Sequence, residues 1–122
     1  MRFRWESQRI EEHLAHADVA ITAGGIAAYE ALCAGIPLLA LSYDSLQQST
    51  ITTLARLNAC VDLGPGNQLD PESLAAMLSP MESDIEKRRT LSEKGQGIVD
   101  GLGAERVVQI IRPLIEKRLL AS

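Results

Sequence analysis

The chain has 122 residues, 46% of them hydrophobic and 23% charged, with 12 Lys and Arg against 16 Asp and Glu for a net charge of −4. That composition belongs to a globular domain, and the length sets a ceiling of one, residues 1–122. A chain of this size buries roughly two thirds of the surface its unfolded form exposes, so it can build a core without disulfides or metals. The acidic balance argues against nucleic acid as a partner, because that affinity rests on clustered Lys and Arg. Four scattered aromatics, Phe3, Trp5, Tyr29 and Tyr43, are too few for a base-stacking platform. The longest wholly apolar run, Pro37 to Leu41, falls far short of the ~20 residues of a membrane span. Met1 to Arg9 is charged and lacks the apolar core of a signal peptide, so the expected location is cytoplasmic.

Taken in chain order, Arg2 to Trp5 reads as a short strand, and Ser7 as the cap of an amphipathic helix reaching His16. Asp18 to Thr22 (DVAIT) is a β-branched apolar run ending in Ala23-Gly24-Gly25, a buried strand followed by a glycine turn. Ile26 to Ala34 holds strong helix formers and stops at Gly35 and Pro37. PLLALS, Pro37 to Ser42, suits a parallel strand covered on both faces. A helix follows over Leu46 to Leu57, ended by Asn58, and then a strand over Cys60 to Leu63. Gly64 to Asn67 reads as a loop, and Asp70-Pro71-Glu72 opens a helix to about Leu78 with proline at its first position. A charged helix spans Glu82 to about Lys94, with Gly95 and Gly97 as its stop. The last helix, Gly103 to about Leu119, carries Ala104, Val107, Val108, Ile111, Leu114, Ile115 and Leu119 on one face and should kink at Pro113.

This alternation predicts an α/β fold, a three-layer αβα arrangement around a parallel sheet of three or four strands. Ligands of such sheets bind outside the carboxyl ends of the strands. Two turns fall there. In the first, Gly24 and Gly25 let a phosphate approach the backbone, with the N–H groups from Ile26 onward behind it. The same glycines would also serve tight packing of helix on sheet. Glu30 lies about one and a half turns further, within reach of ribose hydroxyls, and is equally at home as a solvated helix residue. The second turn ends in Gln47-Gln48, two amides that can bind phosphate or sugar oxygens. Elsewhere, His13 and His16 lie near Glu12 and Asp18 without a fixed third ligand, so no metal site is expected. Cys33 and Cys60 read as buried free thiols. Asp100 reads as a helix cap with Arg106 as its partner.

The run ADVAITAGGIAAYEALCAGIPLLALSYDSLQQ, Ala17 to Gln48, resembles the C-terminal nucleotide-binding domain of GT-B glycosyltransferases, including the lipid II N-acetylglucosaminyltransferase. With the segment Val99 to Val107 it is more similar still to the UDP-sugar hydrolase of pseudaminic acid biosynthesis and its relatives among spore coat polysaccharide biosynthesis proteins. The resemblance implies a partial Rossmann-like domain in which Gly24, Gly25 and Ile26 cradle the diphosphate of UDP or a UDP-sugar. It further implies that Glu30 holds the ribose and that Gln47 or Gln48 reaches the diphosphate or sugar. No cofactor is implied, and the reaction is hydrolysis of a UDP-sugar or glycosyl transfer.

GT-B enzymes place the active site between two domains, and the resemblance, which covers only the C-terminal one, implies that the N-terminal domain is absent from this chain. No catalytic residue is therefore assigned, and the isolated chain is expected to be inactive. Its implied partners are a nucleotide sugar, the missing N-terminal domain or a partner chain, and a second copy in a homodimer across the open edge of the strand at Asp18 to Thr22. The rival expectations are a non-catalytic assembly subunit of a two-chain glycosyltransferase and a structural α/β fragment without a ligand.

Overall fold

A computed structural model describes residues 9–121. Its elements in order are α1 (Ile10–Leu14), β1 (Ala20–Ala23), α2 (Ile26–Ala34), β2 (Leu38–Ser42), α3 (Ser45–Arg56) and β3 (Val61–Pro65). A 3-10 turn at Gly66–Gln68 then leads to α4 (Pro71–Ser83), α5 (Ile85–Ile98) and α6 (Gly103–Leu120). The strand expected over residues 2–5 and the cap at Ser7 lie outside the described residues.

The three strands pair in parallel in the order β1-β2-β3. Alternation along β2 explains the layering, since successive side chains point to opposite faces. Leu38 and Ala40 pack with Ala28, Leu32, Ile51 and Leu54 of α2 and α3, whereas Leu39 and Leu41 pack with Leu63, Leu74, Met81 and Leu91 on the α4 and α5 side. The molecule is thus the expected α/β three-layer domain, with three strands.

Two helices run well past their expected ends. α4 continues past Leu78 to Ser83 with Pro80 inside it. Proline costs the N–H that would reach the carbonyl four residues back, here Ala76, which is exposed and open to water. Asp84 then ends α4 and caps α5 together. α5 runs through Gly95 and Gly97 to Ile98. At Gly95 a Cβ would stand 3.0 Å from Leu32 Cδ2 and 3.4 Å from the Leu32 Cα. This glycine allows α5 to approach α2 closely. It does not stop the helix.

The chain turns at Gly101, with φ +79°, and Asp100 fixes the turn as the sequence suggests. Its Oδ1 accepts from Leu102 N at 3.0 Å and from Arg106 Nη1 at 3.0 Å, while Oδ2 pairs with Arg106 Nη2. Chiefly through the Arg106 bonds, the Asp100 carboxyl falls to about 2. A depressed carboxylate stabilises the fold above its unfolded value and loses that contribution as pH falls through the folded one. The amide signals of Leu102 and Arg106 should therefore hold steady at neutral pH and move only as pH falls through a midpoint of about 2. Asp100→Asn should abolish that transition.

Candidate functional site

Because the strands are parallel, their carboxyl ends share one edge, and the turns after β1 and β2 meet there. Gly24 N–H still donates to Leu41 O at 3.0 Å, extending the ladder one residue past β1. Gly24 is buried, and a Cβ on it would fall 2.7 Å from Ile51 Cδ1 and 2.8 Å from Ile51 Cγ1. No side chain fits without moving the core. At Gly25 the nearest atom to such a Cβ is Gln47 Nε2 at 3.8 Å, an ordinary contact.

Gly25 is the N-cap of α2 and offers no side chain to the first turn. The next helices differ: Asp44, Asp70 and Asp84 cap α3, α4 and α5, accepting from Gln47 N at 2.8 Å, Ser73 N at 2.8 Å and Lys87 N at 3.0 Å. The first N–H groups of α2 thus sit at the positive end of a helix dipole with no side-chain cap among the described residues. An anion would be attracted there. Glu30 is exposed on the same helix, about 6 Å along the axis from Ile26.

The turn after β2 brings Gln47 beside the glycines. Its Oε1 accepts from Tyr43 N at 3.0 Å, and its Nε2 lies toward Gly25. Gln48 points elsewhere: its Oε1 accepts from Ser42 Oγ at 2.6 Å, and its Nε2 donates to Asp62 and Thr52. Gly24, Gly25, Ile26 and Gln47 therefore converge, Glu30 follows along α2, and Gln48 sits at the same edge inside a side-chain network.

Two features of this edge escape the sequence reading. Asp62 reaches Gln48 from β3, where a bulge makes Leu63 an extra residue, Ala40 pairing with Asp62 and Leu41 with Gly64. A polar residue two positions before a glycine in an apolar strand was the available signal. The other is a rim of exposed apolar side chains: Ile26 (79%), Tyr43 (79%) and Leu46 (77%). An aromatic directly after a parallel strand was the signal there.

His13 belongs to α1 and His16 to the connection toward the amino end of β1, the opposite edge of the sheet. No group of three His, Cys, Asp or Glu comes together among the described residues. No described helix is long and apolar enough to cross a membrane. Cys60 is buried as expected, but Cys33 is only half-buried, on the side of α2 that meets the Gly101 turn. Burial, helped by the nearby Asp62 charge, pushes the Cys60 thiol up to about 11. Only the thiolate is reactive, so a thiol reagent near pH 7.5 should label Cys33 first and Cys60 on unfolding. Mass mapping of the labelled peptides checks this.

Comparison with known proteins gives one informative relationship. The chain is 41% identical over 103 residues to "Spore coat polysaccharide biosynthesis protein SpsG" of Bacillus subtilis (strain 168), a match covering 84% of this chain. It bears out the resemblance to spore coat polysaccharide biosynthesis proteins read from Ala17 to Gln48 together with Val99 to Val107. The chain spans only 30% of that relative's length. No family model and no solved structure matches.

Proposed function

We propose that this chain, a relative of the spore coat polysaccharide biosynthesis proteins across 84% of its length, is the nucleotide-sugar-binding part of a polysaccharide-building enzyme of GT-B type. The diphosphate of UDP or a UDP-sugar lies against Gly24, Gly25 and the N–H groups beginning at Ile26. Glu30 accepts from the ribose hydroxyls, and Gln47 donates its amide to the diphosphate or sugar. The observation that carries this reading is the uncapped start of α2 behind a two-glycine turn, with the Gln47 amide beside it.

The chemistry follows from what that arrangement stabilises. Whether water or a sugar hydroxyl attacks, the bond broken joins the anomeric carbon to the UDP oxygen, and negative charge grows on the leaving diphosphate. Fixed N–H donors and a helix dipole aimed at that charge lower the barrier without reorganising. The attacking group and its base come from outside this chain, so the isolated protein binds nucleotide and turns over nothing. No metal or cofactor enters the proposal. A second copy is proposed as partner, through the outer edge of β1 or the apolar face of α6.

One observation favours the rival reading of a ligand-free fragment: Gly24 is already required by its contact with Ile51. Gly25 has no such packing duty, which makes it the discriminating position. Calorimetric titration with UDP should give saturable binding to the native chain, lost in Gly25→Val and weakened in Glu30→Ala with both variants still folded. Absence of binding to the native chain would leave the packing role alone.

A further inference from the structure

The adjacent glutamines at the head of α3 live in opposite surroundings. Both Nε2 protons of Gln48 are engaged, toward Asp62 (2.9 Å to Oδ2, 3.2 Å to Oδ1) and Thr52 Oγ1 (3.2 Å), and its Oε1 holds the Ser42 hydroxyl at 2.6 Å. Asp62 Oδ1 also accepts from Gly64 N at 2.8 Å, so the carboxylate is itself held by the bulge of β3. Ser42 is buried at the end of β2. Gln47 is different: its Oε1 takes the N–H of Tyr43, no described residue accepts from its Nε2, and that nitrogen faces Gly25.

Resting on the nucleotide-sugar reading above, we infer that Gln48 and Asp62 are positioning residues and that, of the two glutamines, only Gln47 contacts the ligand, at the diphosphate. A carboxylate accepts hydrogen bonds and donates none, so Asp62 forces the NH2 end of Gln48 toward β3 and its carbonyl end toward Ser42. Ser42 precedes Tyr43, whose N–H orients the Gln47 carbonyl and turns its NH2 toward the glycines. The chain of contacts runs Asp62, Gln48, Ser42, Tyr43, Gln47. Bulges re-aim side chains next to functional sites, and the bulge at Leu63 aims Asp62.

The test exchanges the chemistry of the pair. In Gln48→Glu the new carboxylate faces Asp62, and UDP affinity should fall about tenfold or more. In Gln48→Glu with Asp62→Asn every bond can be remade. The amide introduced at position 62 donates to the carboxylate introduced at position 48, which also accepts from the Ser42 and Thr52 hydroxyls, while the carbonyl of the new amide takes Gly64 N–H. Affinity should return to within about threefold of native. Gln47→Ala should lose binding, and Asp62→Asn should not rescue it. Thermal melts accompany each titration, and a folded double variant without recovered affinity overturns the inference.

A second readout needs no variant. In the native protein, UDP should shift the side-chain amide signals of Gln47 and leave those of Gln48 in place. Equal movement of both overturns the division of roles while keeping the nucleotide site. No UDP-induced shift anywhere from Gly24 to Ala28 overturns the nucleotide reading itself, and the ligand role of Gln47 with it.

Discussion

Gly24→Val should destabilise the fold by about 1–3 kcal/mol, lowering the melting temperature by roughly 5–15 °C for a chain of this size. The cause is steric and local. Even the first carbon of any side chain would stand 2.7 Å from Ile51 Cδ1 and 2.8 Å from Cγ1. Ile51 is fully buried and packs with Ala28, Leu32 and Leu54, so it cannot yield without displacing the α2 and α3 layer. Gly25→Ala should melt close to the native protein, because its added carbon meets only Gln47 Nε2 at 3.8 Å. The decisive control is a double-mutant cycle with Ile51→Val, which removes Cδ1, the nearer clashing atom. Alone that change costs about 0.5–1.5 kcal/mol. Combined with Gly24→Ala it should cost less than the sum of the two, a coupling of about 0.5–1 kcal/mol. Strict additivity in thermal denaturation would mean that Gly24 is not held to glycine by Ile51.

That pairing shows what a sequence discloses and what it withholds. Ala23-Gly24-Gly25 announces a turn, and the helix Ile26–Ala34 with its left-handed Gly35 stop follows the local signals to the residue. Strand β2 follows its own apolar run. Local chemistry suffices where the deciding contacts are within one turn. The two glycines, however, are alike in sequence and unlike in space: Ile51, 27 positions away, separates a packing glycine from one with room for a side chain. The glutamine pair is the same case, since only Asp62 on another strand tells Gln48 from Gln47. Gly95 misleads for the same reason. A glycine in a helix is a stop signal locally, and here it is the contact surface for Leu32. Tertiary contacts assign roles among residues whose local signals are identical.

The second copy proposed above should associate mainly through α6, and substitutions there should have the largest effect on its assembly. All residues from 103 to 120 are exposed, and Val107, Val108, Ile111, Leu114 and Ile115 form the stripe the spacing predicts. By comparison, β1 exposes one large apolar side chain, Ile21, and a four-residue edge. Burying half of each aliphatic side chain contributes about 1 kcal/mol, so the helix face carries more than the strand edge. Ala104, Val108, Ile111 and Ile115 repeat at four, three and four residues, the spacing of a paired-helix seam. With two copies antiparallel, Val108 of one over Ile111 of the other, Ala104 meets Ile115. Glu105 of each copy then falls opposite Arg112 of the other, two equivalent pairs as a twofold axis requires. The gross gain is near the cost of association, so a monomer–dimer equilibrium in the micromolar range is expected by sedimentation. Ile111→Asp should leave monomer. Glu105→Arg should weaken the dimer, and adding Arg112→Glu should restore it, which a strand-edge dimer would not do. A chain still monomeric at about 100 µM, or a dimer indifferent to Ile111→Asp, would remove α6 as the contact and leave its apolar face to a different polypeptide.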